Sequence, residues 1–295
     1  MRVGFIGIGA MGLPMASNIL NSGKELFVFD LRQASAQPLV EKGAIYCSSI
    51  GLLSEESEIV MMSLPGPEEV RIVASEVLAS MSPGKVLVDL STNSPSLIRE
   101  LDSMAKLKKI SFLDAPVSGG TRGAKSGELT VMVGGEKRVF DTLGSIWDCI
   151  GTNVFHVGEA GTGNIIKLVN NMLAFSNMMS NAEALILGAK AGIDPNVLWD
   201  IIKTSSGNSA TWTGGVKAIL KDKLSPNFTV SLAFKDINLA ADLAKELGVD
   251  LPMGSVTQRL LKEFCQSGFA DEDILATIKI LEDSSGASIR GQWRD

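Results

Sequence analysis

The chain opens with a short apolar run, Arg2-Val3-Gly4-Phe5-Ile6, that passes directly into Gly7-Ile8-Gly9-Ala10-Met11-Gly12. No other feature narrows the possible folds as much. An apolar run that enters Gly-x-Gly-x-x-Gly and leaves with helical periodicity reads as a strand, a tight turn and the start of a helix. Gly7 permits the turn, Gly9 lets a pyrophosphate approach the backbone, and Gly12 lets helix and strand pack closely. The helix start adds unpaired N–H groups and a partial positive charge, which suit phosphate. Glycine is common enough for the string to occur as a ligand-free turn. Its position after an N-terminal strand points instead to a dinucleotide.

The rest of the first half continues the pattern. Apolar runs at residues 2–6, 26–30, 59–64, 86–90 and 111–114 alternate with helical stretches at 11–22, 35–42, 68–79 and 95–107. Runs at 129–133 and 153–157 read as two more strands, with a helix over 137–149 between them. Near-continuous apolar strands separated by helices imply a parallel sheet covered on both faces. After Gly163 the strand signals stop. Residues 164–191 contain no Pro and no Gly before Gly188, and Ile165, Leu168, Val169, Met172 and Leu173 recur at helical spacing. That predicts one helix about 40 Å long. Further helices are expected at 196–205, 214–220, 232–247, 252–267 and 273–283. The expected fold is therefore α/β: an N-terminal Rossmann-type, doubly wound domain (1–163) followed by an all-α C-terminal domain (164–295).

Composition removes several function classes. With 295 residues there is room for two domains and a large core. Lys and Arg number 27 against 33 Asp and Glu, so the basic excess of a nucleic-acid binder is missing. No apolar run approaches the roughly 18 residues of a membrane span. Gly4, Gly7 and Gly9 interrupt any apolar leader, so no signal peptide is expected. The single histidine, His156, and the scattered Cys47, Cys149 and Cys265 offer neither a metal-ligand spacing nor a disulfide framework. A cytoplasmic protein without metal is expected. The single tyrosine, Tyr46, has no Lys four residues on, which excludes a Tyr-x-x-x-Lys catalytic pair.

Candidate chemistry follows from the sheet. Asp30 ends the second run, 18 residues after Gly12. A carboxylate there accepts from ribose hydroxyls and repels a 2′-phosphate, which favours NAD over NADP. A turn or capping aspartate is the alternative, and Arg32 is placed to bind a 2′-phosphate, so NADP stays open. Leu64, Pro65 and Thr92 follow strand ends and so flank a cofactor in an open parallel sheet, although Leu64-Pro65 can equally be a plain strand-ending turn. Hydride transfer needs a proton acceptor beside the alcohol. His156, in Val-Phe-His-Val-Gly, reads better as a structural histidine. Lys167 shares a helical face with Asn164 and Asn171; taken alone, such a lysine is more often solvated. An ordinary lysine, with pKa near 10.4, is a poor base at neutral pH, and burial beside a positive nicotinamide ring would lower it. Ser118-Gly119-Gly120 ends a strand and offers backbone N–H groups beside a hydroxyl, either an anion site for a carboxylate or a flexible turn.

Taken together, four blocks resemble the β-hydroxyacid dehydrogenase family, the 3-hydroxyisobutyrate dehydrogenase type. They are residues 7–20 (GIGAMGLPMASNIL), 114–135 (beginning DAPVSGG), 161–171 (GTGNIIKLVNN) and 235–240 (KDINLA). The resemblance spans nearly the whole chain. It implies that Lys167 is the catalytic acid/base, that Ser118, Gly119, Gly120 and Asn171 bind substrate, and that Lys235 lies near the cofactor. It implies NAD-dependent interconversion of a small 3-hydroxy acid and its semialdehyde, and a homodimer or homotetramer. An NADPH-preferring reductase of tartronate or succinic semialdehyde fits the same motifs. A non-catalytic dinucleotide-binding protein fits less well, since it would be free to lose Lys167 and Asn171. Departures from the family fall in the cofactor-selective loop and in Ser205-Ser206-Gly207-Asn208-Ser209, a segment where substrate choice would be set.

Overall fold

In the computed structural model, which describes residues 1–294, β1 (Arg2–Ile6) lies inside a sheet and is buried from Val3 onward. The chain runs outward from it through α1 (Gly12–Asn21), β2 (Glu25–Phe29), α2 (Gln33–Val40) and β3 (Ile45–Tyr46). It then returns past β1 through α3 (Ile50–Glu56), β4 (Ile59–Met62), α4 (Pro67–Ser80), β5 (Val86–Asp89), α5 (Pro95–Leu107) and β6 (Ser111–Asp114). Next come β7 (Val117–Ser118), α6 (Gly120–Ser126), β8 (Leu129–Gly135), α7 (Lys137–Thr142), α8 (Gly144–Ile150) and β9 (Gly151–Gly158). The order across the sheet is β3-β2-β1-β4-β5-β6-β8-β7, with β9 off this path and paired to β8. Strands β1 to β6 pair in parallel. β8 is antiparallel to β6 and β7 and parallel to β9.

Alternate residues of each strand feed two cores, one on each face. Val3, Phe5, Leu26, Val28 and Met61 join α1 and α8 on one side, while Ile6, Phe27, Val60 and Met62 join α3, α4 and α5 on the other. This is the doubly wound arrangement that the apolar runs imply. The strand order reverses between β1 and β4, and ligands bind beyond the carboxyl ends of strands at such a switch point.

The structure adds elements that the sequence pattern does not announce. β3 is a two-residue edge strand. α3 is started by Ser49, whose Oγ accepts from the Leu52 N–H at 3.1 Å. The Ser118–Gly120 segment is the junction of β7 and α6. The single helix expected over 137–149 is two, broken at Leu143, which is buried and leaves helical geometry (φ -98°, ψ 12°).

The chain divides into two compact units, Met1–Lys167 and a second from Leu168 onward. α9 (Thr162–Lys190) is continuous through that division; its 29 residues span about 44 Å. The second unit contains α10 (Pro195–Ile202), α11 (Lys217–Leu220), α12 (Val230–Leu247), α13 (Pro252–Phe264) and α14 (Ile278–Ser285). Its cores gather around Leu185, Trp199 and Trp212, and around Phe175, Met179 and Ile237. Asp194 caps α10 by accepting from the Asn196 N–H, and Pro195 takes the first helical position. Among the described residues this unit's only β pairing is one bridge, Thr229 with Asp273. The helix expected over 252–267 ends at Phe264 in a wide turn through Gly268, whose φ is 91°. No helix of the described residues is long and apolar enough to cross a membrane.

Candidate active site

The turn after β1 shows why it is built of glycine. A Cβ on Gly12 would sit 1.8 Å from the Gly7 carbonyl oxygen, and one on Gly7 would sit 2.3 Å from that of Ser63. Gly7 also holds φ at 89°. A Cβ on Gly9 would meet nothing within 4 Å, so its empty side is open to a ligand. Two glycines are demanded by packing and the third leaves room, as a backbone cradle for pyrophosphate requires. Ile8 is buried, Met11 half-buried and Ala10 exposed.

Asp30 closes this loop. Its Oδ2 accepts from the Ile8 N–H and its Oδ1 from the Arg32 N–H, both at 2.8 Å. The carboxylate is thereby fixed beside the glycines, and the Arg32 side chain is exposed. Asp30 is thus a turn aspartate as well as a candidate ribose ligand, since each oxygen keeps a second lone pair. Leu64 is half-buried beside Gly7, and its N–H donates to Ser91 Oγ at 2.9 Å. Pro65 is exposed and Thr92 half-buried. The fold therefore gathers Gly7–Gly12, Asp30, Leu64 and Thr92 at the carboxyl ends of β1, β2, β4 and β5.

Beneath that crevice lies a polar chain that sequence reasoning missed. Asp89 Oδ1 accepts from the Ser91 N–H at 3.0 Å, and its Oδ2 from Asn93 Nδ2 at 2.6 Å. The Asn93 N–H donates to Asn164 Oδ1 at 2.7 Å. Asp114 Oδ1 accepts from the Gly161 N–H at 2.8 Å; its Oδ2 accepts from Asn164 N–H at 2.9 Å and Nδ2 at 3.1 Å. Asp89, Asn93, Asp114 and Asn164 are all fully buried. Burial pushes the Asp89 carboxyl up to about 7, against the bonds from Ser91 and Asn93 and with a further upward push from Asp114. Burial likewise raises Asp114, opposed by its bonds from Gly161 and Asn164. The signals in the sequence are an aspartate closing each of two apolar strands and Asn164 on the helical face of Lys167, with nothing to show that they join.

Lys167 stands one turn after Asn164 on α9 and is only 9% exposed, so it is not a solvated helix lysine. Ser118 is half-buried, and Gly119 and Gly120 are exposed with φ of 130° and 61°. They start α6, whose first N–H groups have no helical acceptor. His156 on β9 bonds through Nε2 to the Gly135 carbonyl at 2.8 Å and lies against Phe140. That is the structural histidine the sequence suggests.

In the second unit Asn171 and Lys235 meet on one residue. Asn171 Nδ2 donates to Asp236 Oδ2 at 2.7 Å, and Lys235 Nζ pairs with Asp236 Oδ1 at 2.9 Å. Asn171 is 5% and Asp236 2% exposed. Asp236 belongs to a motif visible in the sequence, yet only the fold shows that it joins the two. In the 205–209 segment, Ser209 Oγ accepts from the Trp212 N–H at 3.0 Å and starts the next turn. Among the described residues no group of three or more His, Cys, Asp or Glu is placed to hold a metal ion.

Comparison with known proteins gives these features a context. The family described as the NAD binding domain of 6-phosphogluconate dehydrogenase matches residues 2–158, and that described as NAD-binding of NADP-dependent 3-hydroxyisobutyrate dehydrogenase matches residues 161–281. A 2-(hydroxymethyl)glutarate dehydrogenase of Eubacterium barkeri is 39% identical, over 99% of this chain and 98% of its own. An NAD-dependent L-serine dehydrogenase of Pseudomonas aeruginosa is 34% identical, over 97% and 99%. The solved structure of Mycobacterium tuberculosis 3-hydroxyisobutyrate dehydrogenase with L-serine superposes with a TM-score of 0.87 at 30% identity, covering 95% of this chain and 98% of that one.

Proposed function

The chain belongs to the β-hydroxyacid dehydrogenase family, and from that premise we propose how its own residues perform the reaction. It is a nicotinamide-dinucleotide oxidoreductase that acts on the CH–OH group of a 3-hydroxy acid and interconverts it with the semialdehyde. The substrates named for its relatives, 2-(hydroxymethyl)glutarate, L-serine and 3-hydroxyisobutyrate, share one unit: a primary alcohol on the carbon next to that bearing the carboxylate. We infer that this chain takes an acid with the same HOCH2–CHR–COO⁻ unit.

A bound nicotinamide supplies the hydride acceptor. Lys167 Nζ takes the hydroxyl proton as the carbonyl forms, and returns it when the aldehyde is reduced. Ser118 and the backbone N–H groups of Gly119 and Gly120 hold the carboxylate. Asn171, one turn after Lys167, orients the lysine, and Lys235 would help to hold the cofactor. Gly7–Gly12 would hold the pyrophosphate, with Leu64, Pro65 and Thr92 as further cofactor contacts, and Asp30 would favour NAD. The observation that carries this reading is the burial of Lys167 on the same helix as the buried Asn171 one turn on, which withdraws both side chains from bulk water.

The second unit leaves Leu187, Ile193, Val197 and Ile201 exposed. Together with the family resemblance, these exposed side chains support a homodimer or homotetramer through the helical domain. The free thiols of Cys47, Cys149 and Cys265 support a cytoplasmic setting. The direct test is a panel of HOCH2–CHR–COO⁻ acids and their methyl esters, with NAD and NADP, run on the wild type and on Lys167→Ala. Acids turn over and esters do not. Lys167→Ala loses about 10²–10⁴ in kcat, as general acid–base variants do, while calorimetry shows NAD binding intact. A Lys167→Ala enzyme with near-normal turnover removes the lysine from the mechanism.

A further inference from the structure

We propose that Asn164 is a positioning residue that couples the loop after β5, on the cofactor side, to the turn of α9 that carries Lys167. The proposal rests on the reading of Lys167 as the base and of Thr92 as a cofactor neighbour.

Asn164 does more than start a helix. Asp114 already accepts from the Gly161 and Asn164 backbone N–H groups, which is what the beginning of α9 needs. The Asn164 side chain adds two further bonds, donating from Nδ2 to Asp114 and accepting on Oδ1 from the Asn93 N–H. The Asn93 backbone N–H can only donate, so it fixes the amide oxygen toward Asn93 and Nδ2 toward Asp114. Asn93 follows Thr92 directly and is itself tied to Asp89 at the end of β5. Asn164 precedes Lys167 by three residues, about 4.5 Å along the helix axis and on nearly the same face. All four linked side chains are fully buried, where a hydrogen bond is stiffer than in water and an unpaired group costly. A shift of Thr92 and Asn93 on ordering around a dinucleotide is therefore transmitted to the helix turn that aims the lysine.

No simpler side chain does both jobs. Leucine has the same shape but leaves the Asn93 N–H buried and unpaired. Aspartate keeps an oxygen toward Asn93 but turns its second oxygen against Asp114. Alanine removes both bonds while leaving the backbone cap on Asp114 in place.

The test compares Asn164→Ala with the wild type and with Lys167→Ala by two readouts: the NAD dissociation constant by calorimetry, and kcat and KM at saturating NAD. The expected result is a kcat lower by roughly 10- to 100-fold, the scale of a misplaced catalytic group. NAD affinity is weakened about threefold or more, and the acid's KM stays near that of the wild type. Lys167→Ala loses turnover with NAD affinity unchanged, so the two variants separate. Wild-type kcat and NAD affinity in Asn164→Ala overturn the coupling and leave the lysine's role standing. Loss of kcat with unchanged NAD affinity also overturns it, because Asn164 then acts on the helix alone. An active Lys167→Ala removes the base and with it the object of the positioning. If Asn164→Ala does not accumulate folded, Asn164→Ser, which keeps a hydroxyl too short to reach both partners, is measured by the same criteria.

Discussion

Three aspartates stand where buried parallel strands of one sheet end, and the sheet uses them in two ways. Asp30, just past β2, stays half-exposed and spends its carboxylate on two backbone N–H groups at the rim of the glycine loop. Asp89 and Asp114, the last residues of β5 and β6, have no exposed surface and bind loops and a helix start below the rim. The same residue type at the same kind of position is thus a part-exposed turn residue after one strand and sealed internal scaffolding after two others. Solvent access decides which. A carboxylate with water on one side can exchange that water for a ribose, whereas one sealed among N–H donors has nothing left to offer.

The contrast is broken most severely at Asp114. Asp114→Ala strips the acceptor from two backbone N–H groups and one side-chain amide, all buried. Each buried donor left unpaired costs about 1–3 kcal/mol. The expected loss of about 3–9 kcal/mol is comparable to the whole stability of an ordinary domain. Urea unfolding, or the soluble yield when no folded protein accumulates, measures it. A midpoint close to the wild type would show that water replaces the carboxylate, and that the end of β6 is not scaffolding.

The distinction between the two uses is also where the sequence stops being informative. The glycine loop was legible because its logic is local: strand, turn and helix lie within a dozen residues, and each glycine answers to its immediate neighbours. The long strands were legible because both faces are buried, which leaves unbroken apolar runs. β3 was not, because two residues at a sheet edge carry no run at all. Asn93 and Asn164 are 71 positions apart, Asp114 and Asn164 are 50 apart, and Asn171 and Asp236 are 65 apart. No periodicity spans such distances. Lys167, Asn171 and Lys235 stand out in the sequence through their motifs, whereas Asp236, next to Lys235 in the chain, acquires its partner Asn171 only when the helices pack.

A second prediction sharpens the comparison through pH. Burial holds the Asp89 carboxyl up to about 7 in the folded protein, against about 4 when unfolded. Below about pH 4 both states carry the proton, and the stability associated with it is fully present. As pH rises toward 7 the unfolded chain releases the proton while the native state keeps it, so stability falls; above the folded value nothing of it remains. Each pH unit in that window is worth about 1.4 kcal/mol, giving a decline of about 4 kcal/mol. Asp89→Asn has no proton to lose. Unfolding midpoints of the two proteins from pH 4 to 8 should therefore converge or cross as pH rises. Parallel curves would mean that Asp89 is ionised throughout, as an aspartate at an open strand end would be.

The smallest expected effect belongs to Asp30, and it tests the ligand-facing half of the comparison. The bonds from Ile8 and Arg32 prevent the carboxylate from swinging away when a phosphate arrives. Ribose hydroxyls can donate to its remaining lone pairs, whereas a 2′-phosphate meets a fixed like charge. At 4 Å, unit charges interact by about 4 kcal/mol at an effective dielectric near 20, and the half-exposed position reduces this. About 1.4 kcal/mol remaining is a tenfold preference for NAD over NADP in kcat/KM. The exposed Arg32 side chain can turn toward a 2′-phosphate, which limits the effect to a preference. Asp30→Ser removes the charge, keeps an acceptor for one backbone N–H and leaves Arg32 free to pair, so the ratio should narrow or invert with little change in kcat for NAD. A wild type that favours NADP would show that Arg32 governs the loop. Asp30 would then be scaffolding like Asp89 and Asp114, and exposure alone would not distinguish the two kinds of strand end.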